Sequence, residues 1–571
     1  MTPGRLAVVE QWFLRGGAFL LPLAYWWDTY DRYVLPKLLL ARVLVIGLLI
    51  LFVGRAFIGG SLTIKRTPLD LPLLAFVASA FLSTLVAENQ NVAVFGIYSR
   101  YDGLLTILMY AALFWLSVQA ISGPGEARTL LRVLLASGYL AALIAIVKLV
   151  TDSMTQGVLV PAFGTLGQKN VLGAFLAMLL PLAYRELVEA ASWSARVIAL
   201  NLMTIIGVGL ILTLSRSAWL GAAMAAVVLM LSGYRPTLRL GIACLLVVLL
   251  GGLIVGSLRL GGVHLTPVDQ VSASGDRPAV WRDTLRLTAS RPLLGYGPDN
   301  FGLVFPRFQT TYIGPQQWDK AHAESLQVAA TQGLVGLAAY VLILVAFIRA
   351  FWRAILPPPL AGEGRGGGRA GAVAIFSAWV AYEVTLQLNF SALAASLPFW
   401  IFAAAAMESW GLSPSRLVEN VSLPRSRGKA GWRLTTITIT ALTALAVVAT
   451  VFPYLADSHL RVAVTADFQG QSAVAQNAAA QARDLAPRES VYAVEVGNIA
   501  FERGDWVGAA SAYGDAAVLG TYNPLVYRNL ALADRYLGRF ADARAAAEKA
   551  VELDRFDPAN RALLAEFGGN P

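Results

Sequence analysis

Long apolar stretches alternate with short polar loops along the first 455 residues of the chain. The apolar stretches recur at lengths of about 20 residues, which is what an α-helix needs to cross a lipid bilayer. The pattern predicts thirteen membrane-spanning helices, near residues 12–27, 34–56, 69–87, 104–122, 129–151, 170–188, 195–214, 217–232, 237–258, 323–348, 371–390, 393–410 and 433–455. The expected fold is therefore all-α, a polytopic helical membrane protein.

Basic residues in the short loops predict how these helices are oriented. Lys and Arg collect in every second loop, as at Lys65 and Arg66, and such loops usually stay in the cytoplasm. This places the N-terminus in the cytoplasm. It places the long polar stretch 259–322 and everything after residue 455 on the outer side.

The last part of the chain has a different period. Glycines recur every 34 residues, and three further positions keep the same spacing: Gly470, Gly504 and Gly538; Ala475, Ala509 and Ala543; Ala482, Ala516 and Ala550; Leu485, Leu519 and Leu553. A 34-residue period of small residues resembles tetratricopeptide repeats, in which pairs of helices stack into an α-solenoid. Generic helical hairpins are the alternative. Such arrays bind proteins, so a protein partner is expected here.

These patterns divide the chain into five parts. They are helices one to nine (1–258), a large outer loop (259–322), helices ten to twelve with cytoplasmic linkers that include the Pro/Gly-rich stretch 357–371 (323–432), the last span (433–455), and the repeats (456–571).

Composition narrows the protein class. Apolar residues make up 57% of the chain, charged residues 14%, and the mean hydropathy is +0.61, whereas a soluble domain has about 25% charged residues. The net charge of +10 is spread over short loops, so no nucleic-acid partner is expected. The single cysteine, Cys244, lies in an apolar run, which excludes a disulfide framework and a cysteine-based metal site.

The loop 259–322 carries six arginines, Lys320, five Asp and no Glu. The planar fork of arginine suits phosphate. If 279–290 is a helix, Arg282 and Arg286 share one face and Arg277 lies just before its start, where the helix N-terminus also attracts anions. The alternative is a solvated basic loop that touches lipid headgroups. Arg259, Arg291 and Arg307 are expected to be only solvated.

The loop ends on His322, where the tenth span begins. A histidine at this boundary is near the substrate and partly shielded from water, which suits a general base. A structural role is the alternative, and His264 is a rival in the same loop. Glu324 could orient His322 or pair with an arginine.

Two further cations open predicted spans. Arg216 lies in a very short turn between two apolar helices and should meet an anion, either a carboxylate or a substrate phosphate. Lys169 could add to the same anion site. Asp28 and Asp31 in the first outer loop are only a weak signal for a metal, and no metal is expected.

Six short motifs occur in one order along residues 12–410. They are GQKN (167–170), SRSAWLG (215–221), RPAVWRDTLRL (277–287), PLLGYGPDNF (292–301), HAESLQ (322–327) and GLVG (333–336). Together with the membrane layout, they resemble the O-antigen ligase / O-antigen polymerase superfamily. The repeats look like an appended module.

The resemblance implies an enzyme that moves a glycan from undecaprenyl diphosphate to an acceptor, at the outer face of the bacterial cytoplasmic (inner) membrane. It implies inverting transfer without metal or cofactor. His322 would be the base, Arg216 and Arg277 would hold the diphosphate, and Arg282 is a weaker candidate. Ala323 stands where the family often has Asn, which puts one acceptor contact in doubt.

Several functions remain open at this stage. A ligase, a polymerase and a protein glycosylating enzyme need the same donor, and the acceptor would be a lipid, a glycan or a protein. A transporter is the non-enzymatic alternative, but its charged sites would lie near the midplane and its spans would repeat. The enzyme hypothesis requires Arg216, Arg277 and His322 to lie together, and scattering of these three would reject it.

Overall fold

The computed structural model describes residues 2–60, 63–233, 238–264, 276–313, 317–356, 366–413, 415–417 and 429–568. The helices within these ranges are α1 (Pro3–Leu20), α2 (Leu35–Gly59), α3 (Asp70–Leu85), α4 (Gln90–Phe95), α5 (Leu104–Ala120), α6 (Pro124–Gln156), α7 (Lys169–Glu189), α8 (Trp193–Leu212), α9 (Arg216–Leu231), α10 (Leu238–Leu260), α11 (Arg277–Ser290), α12 (Phe301–Phe308), α13 (Glu324–Ile355), α14 (Gly366–Gln387), α15 (Leu393–Ser409), α16 (Lys429–Phe468), α17 (Ser472–Leu485), α18 (Ser490–Glu502), α19 (Trp506–Leu519), α20 (Pro524–Tyr536), α21 (Phe540–Leu553) and α22 (Pro558–Glu566). The predicted all-α class is confirmed.

Among the described helices, 7 are long and apolar enough to cross a membrane: α2, α6, α7, α8, α13, the part of α14 from Ala370, and the part of α16 from Thr440. Shorter apolar helices are α3, α5, α9, α15 and the Cys244–Leu260 part of α10. With α1, these helices correspond one to one with the predicted spans. The membrane class is confirmed, and the number of crossings stays a prediction.

The first helix begins earlier than its apolar pattern indicates. Pro3 opens it, where a fixed φ favours a helix start, and the Thr2 side chain accepts a hydrogen bond from the Arg5 amide at 3.4 Å. It ends at Leu20, so the apolar stretch that follows, up to residue 27, lies outside the helix.

A 3₁₀ helix (Gly164–Leu166) and two short strands complete the secondary structure of the described residues. Strand β1 (Thr63–Lys65) pairs antiparallel with β2 (Ser415–Leu417), with Ile64 opposite Arg416. The predicted linker 357–371 lies mostly outside the described residues, because 357–365 are not described.

Helices α9 and α14 pack closely because a glycine faces the partner backbone. A Cβ at Gly221 would lie 2.3 Å from the carbonyl oxygen of Ala381, so only glycine fits. Small residues let membrane helices approach in this way. The close approach brings the start of α9, at Arg216, toward the end of α14.

Helix α13 is broken at Gly333, and the break holds the segment 292–297. Gly333 has φ +69°, and a Cβ there would lie 2.2 Å from the Leu293 carbonyl oxygen. The Leu334 amide donates to Pro292 O at 2.7 Å, and the Gly297 amide donates to Thr331 O at 2.8 Å. The two glycine-bearing motifs PLLGYG and GLVG therefore fix each other, and α11 is anchored to α13.

Helices α17–α22 and the end of α16 form the predicted repeats, here called the repeat tail (456–571). Gly470, Gly504 and Gly538 each have positive φ, between +71° and +75°, and each follows the first helix of a pair. The periodic alanines of the second helices are 0% exposed. The tetratricopeptide-like tail is confirmed, and α16 runs through the predicted domain boundary at 455 without interruption.

The repeat tail lies against α4 and α12. Arg307, at the end of α12, forms ion pairs with Glu88 (2.6 Å) and Glu552, and Arg555 donates to Pro306 O at 2.7 Å. Arg291 also lies 3.5 Å from Glu88. The expectation that Arg291 and Arg307 are only solvated is wrong, because both lie where separate parts of the chain bring carboxylates to them.

We expect Gly295→Ala to destabilise the protein. Gly295 has φ +64°, and a Cβ would lie 2.6 Å from the Thr331 carbonyl carbon, so alanine meets both backbone strain and a clash. The loss should exceed about 1 kcal/mol, seen as a lower midpoint of thermal unfolding in detergent. Gly256→Ala is the control, since a Cβ there meets nothing within 4 Å. Equal midpoints for the two variants would contradict the anchoring role of the break.

Candidate active site

His322 lies in the loop before α13, between two aromatic rings. The centroids of Trp318 and Phe390 each lie 5.0 Å from that of the imidazole, in edge-to-face arrangement. The Nδ1 atom is buried and has no hydrogen-bond partner among the described residues. The backbone of His322 has φ +53°, which is uncommon outside glycine and shows that the surroundings impose this position.

A buried ion triad holds the chain two residues before the histidine. Lys320 Nζ donates to Asp102 at 2.7 Å and to Asp299 at 2.8 Å, and the lysine side chain is only 4% exposed. Burial alone would lower the pKa of Lys320, but the two carboxylates raise it above its ordinary value. Burial raises the pKa of Asp102 to about 6 against the opposing charge of Lys320.

Ala321, between the lysine and the histidine, is fixed through its backbone. Its amide donates to Gln327 Oε1 at 2.8 Å, and its carbonyl accepts from Trp281 Nε1 at 3.1 Å. Trp281 belongs to α11 and Gln327 to α13. One residue of the RPAVWRD motif and one of the HAESLQ motif therefore hydrogen-bond to the backbone of Ala321.

The environment keeps the imidazole neutral. Burial and the positive charge of Arg277 lower the pKa of His322 from 6.5 to about 4, although Asp319 acts in the opposite direction. At pH 7 the ring is therefore ready to accept a proton.

Three cations share one region beside this histidine: Lys169, Arg216 and Arg277. Burial and the charge of Arg216 lower the pKa of Arg277, and both arginines repel Lys169. Arg277 Nη1 donates to Leu388 O at 2.5 Å. The structure therefore brings together the three cations and the histidine that the sequence indicates.

Each cation is the first residue of a helix: α7 at Lys169, α9 at Arg216 and α11 at Arg277. The starts of α7 and α9 are joined by a bond of 2.8 Å from Ser215 Oγ to Asn170 Oδ1. Each helix N-terminus carries a partial positive charge and unpaired amides. The region therefore combines side-chain and backbone groups that favour an anion.

Arg282 lies elsewhere on α11. Its Nε lies 3.1 Å from Asp283 Oδ1, and its Nη2 donates to Thr310 Oγ1 at 2.6 Å. Arg286 also contacts Asp283, at 3.3 Å. The contacts of Arg282 therefore place it in a structural network of the loop, while its predicted role in diphosphate binding stays a prediction.

Glu324 does not contact His322. Its carboxylate accepts hydrogen bonds from the Ser391 amide at 2.7 Å and from Ser391 Oγ at 2.9 Å. These bonds hold the segment between α14 and α15, and the orienting role of Glu324 toward His322 stays a prediction. The rival His264 is exposed, and its amide donates to Gly157 O at 2.8 Å.

The sequence analysis did not identify the segment 387–391, although it contacts Arg277, His322 and Glu324. Leu388 binds Arg277, Phe390 packs on His322, Ser391 binds Glu324, and Gln387 accepts from Ser325 at 2.6 Å. The polarity of the segment could have revealed it, because Gln387, Asn389 and Ser391 lie between two apolar stretches of the sequence. No motif pointed to Trp318.

Comparison with known families addresses the identity of this site. The family model described as O-antigen ligase matches residues 201–341. This part of the chain is similar to O-antigen ligases. The matched range contains Arg216, Arg277 and His322, so the resemblance drawn from the motifs is confirmed. The family supports an enzyme of glycosyltransferase type with ligase- or polymerase-like activity.

Other comparisons add little. A search of curated proteins gives no match. Among solved structures, the APC/C heterotetramer Cut9–Hcn1 matches with 11% sequence identity over 82% of this chain and 78% of that chain, but its TM-score of 0.19 carries no weight for the fold. Within the described residues, no group of three or more His, Cys, Asp or Glu side chains could hold a metal ion.

The titration of His322 is a direct test of this geometry. In a chain with His264→Gln and His459→Gln, isotope-labelled histidine NMR in detergent should give a midpoint of about 4. Arg277→Gln should raise it, because the positive charge with the largest lowering effect on the pKa of His322 is removed. Arg282→Gln is the matched control and should leave it unchanged. A midpoint near 6.5 in the parent chain would refute the buried, cation-flanked position.

The lowered pKa of His322 also makes the free energy of unfolding depend on pH. The pKa is lower in the folded chain than in the unfolded one, so the unfolded state binds more protons between about pH 6.5 and 4. The contribution of His322 to folding is complete above pH 6.5 and is lost as the pH falls toward 4.

Proposed function

We propose that the chain transfers a glycan from undecaprenyl diphosphate to an acceptor hydroxyl, at the outer face of the bacterial cytoplasmic membrane. The observation that carries the proposal is the grouping of a neutral, half-buried histidine with cations at three helix N-termini. A diphosphate fits the cations, and a hydroxyl proton fits the histidine. The proposal assigns no step to a metal or cofactor.

The proposed donor lipid has an apolar groove available to it next to the cations. The groove has a volume of about 350 Å³ and is lined by residues of α6, α8 and α10, including Gly251 and Gly252 of α10. Leu214, two residues before Arg216, also lines it. A prenyl chain in this groove would bring its diphosphate to Arg216, Arg277 and Lys169, since a polyprenyl carrier is apolar up to its phosphates.

In the proposed reaction, the acceptor oxygen attacks the anomeric carbon of the donor sugar from the face opposite the diphosphate. The carbon–oxygen bond to the diphosphate breaks, so the configuration inverts. The acceptor proton moves to His322, which becomes an imidazolium. The cations neutralise the negative charge that grows on the departing diphosphate, which is electrostatic stabilisation of the transition state.

Donor binding would also strengthen the base. Arg277 is the largest charge effect that lowers the pKa of His322. A diphosphate bound to Arg277 offsets that charge and raises the pKa of the imidazole toward its ordinary value. His322 would therefore accept a proton more readily once the donor is in place.

The same donor chemistry serves a ligase, a polymerase and an enzyme that glycosylates proteins, which differ in the acceptor hydroxyl. The transporter hypothesis is less favoured, because the charged candidates meet at one end of the helices and next to the loop, not at the middle of the spans.

We expect His322→Ala to abolish transfer, because the variant lacks the imidazole that is proposed to accept the proton of the acceptor hydroxyl. The measurement is transfer from an undecaprenyl diphosphate-linked glycan by purified protein in proteoliposomes. His264→Ala removes the exposed rival histidine and should leave transfer intact. Near-normal transfer by His322→Ala, in protein that inserts normally into the membrane, would refute the assignment of His322 as the base.

We expect Arg277→Gln to lower kcat by about a hundredfold or more, the usual loss for one stabilising donor in an active site. Arg282→Gln changes the same residue type five positions along the same helix and should have a much smaller effect, because Asp283 and Thr310 already engage it. If the two variants lost activity equally, the diphosphate site would have to include Arg282.

A further inference from the structure

A cavity of about 380 Å³ opens beside the candidate active site. Asp319 and Phe390 line it, and Phe390 is the ring that packs on His322. Most of the lining comes from the loops between membrane helices, but one side chain, Tyr522, comes from the repeat tail. The volume is within the range of about 300–1,000 Å³ that is usual for small-molecule sites.

Specific contacts hold this part of the repeat tail in place. Asn89 Nδ2 donates to Val518 O at 3.0 Å, and Asn91 Nδ2 donates to Leu519 O at 3.1 Å. Gly520 follows with φ +93°, and a Cβ there would lie 2.6 Å from the Val92 side chain. The turn that leads to Tyr522 is thus fitted to α4, two residues before the tyrosine.

The Tyr522 side chain lies against the region that contains α11 and α12. Its ring packs against the apolar cluster formed by α11, α12 and the chain before α13. A Cβ at Gly302 would lie 3.4 Å from Tyr522 Cδ2, an ordinary contact distance, so the ring lies directly against α12. The charges of Asp319 and Arg100 also act on the pKa of Tyr522 in opposite directions. These two residues form an ion pair of 2.6 Å.

The lining of the cavity combines flat rings with polar groups. Tyr33, Tyr98 and Phe390 supply rings, and Asp319 and Gln168 supply hydrogen-bonding groups. Gln168 Oε1 is buried and has no hydrogen-bond partner among the residues that the structure describes. A buried amide oxygen normally has a partner, so a ligand hydroxyl would satisfy it.

We propose that this cavity is the acceptor subsite, that its ligand is a saccharide, and that Tyr522 of the repeat tail helps to determine which acceptor is used. The proposal rests on the proposed glycan transfer for its reaction, but not for the binding of the saccharide. Rings cover the apolar faces of sugars, while amide and carboxylate oxygens accept their hydroxyl hydrogens.

The first arm measures binding without transfer. In a Cys244→Ser background, Ala392→Cys places a thiol on the cavity wall, and its labelling by a membrane-impermeant maleimide reports access. Labelling should be slower than at the exposed control Ser511→Cys. Tyr522→Ala should accelerate it, whereas Tyr536→Ala, on an exposed face of the same tail, should not. An unchanged rate in Tyr522→Ala would show that Tyr522 does not limit access to the cavity and would overturn its place in the proposed subsite.

The same labelling tests the ligand class. The probes are free disaccharides that end in a hexose or an N-acetylhexosamine. At least one should slow labelling of Ala392→Cys in the chain that keeps Tyr522, and the protection should be lost in Tyr522→Ala. Failure of every saccharide to protect would overturn the acceptor-subsite assignment, whatever the chain transfers.

The second arm measures transfer. Tyr522→Ala should raise the KM for the acceptor by about tenfold and leave the KM for the donor unchanged, since one ring contact of about 1.4 kcal/mol is lost. Tyr522→Phe should retain most of the acceptor affinity. A merely structural tyrosine would change both KM values or neither, and that result would refute the proposal. Saccharide protection in a chain that transfers nothing would instead reject only the proposed function.

Discussion

The position of His322, the candidate base, depends on one buried ion triad, Lys320 with Asp102 and Asp299. The lysine joins the chain before α13 to the loop before α5 and to the loop before α12. A buried charge without a partner is very costly, so each carboxylate holds the lysine to one backbone arrangement. The positive φ of His322 lies between two fixed neighbours: Ala321 is held by the side chains of Trp281 and Gln327, and the Ala323 carbonyl accepts the first backbone hydrogen bond of α13, from the Gln327 amide.

The three cations of the candidate site differ from the triad, because they bring charges of the same sign together. Arg216, Arg277 and Lys169 carry like charge and repel one another. An anion bound between them would reduce this repulsion. The fold tolerates the arrangement because rigid helices, joined through Ser215 and Asn170 and through the close packing of α9 on α14, set where the charges lie.

How much was predictable follows from how local each signal is. His322, Arg216 and Arg277 lie inside short motifs at or near helix starts. Their positions alone left other roles open, and the resemblance of the ordered motifs to a known family made them the main candidates. The glycine period of the repeat tail is likewise local. The partners of Arg307 and the bond from Glu324 to Ser391 join positions far apart in sequence. Neither apolar periodicity nor a motif carries such information, and the segment 387–391 was missed for this reason.

Helix α16 runs from Lys429 to Phe468 and belongs to both the last predicted span and the first repeat. A continuous α-helix turns by about 100° and rises about 1.5 Å per residue. The length of this one helix therefore sets the azimuth of the whole repeat tail. Insertion or deletion of a single residue in it would swing Tyr522 away from the cavity, so exchange of tails between related chains would require the helical phase to be conserved.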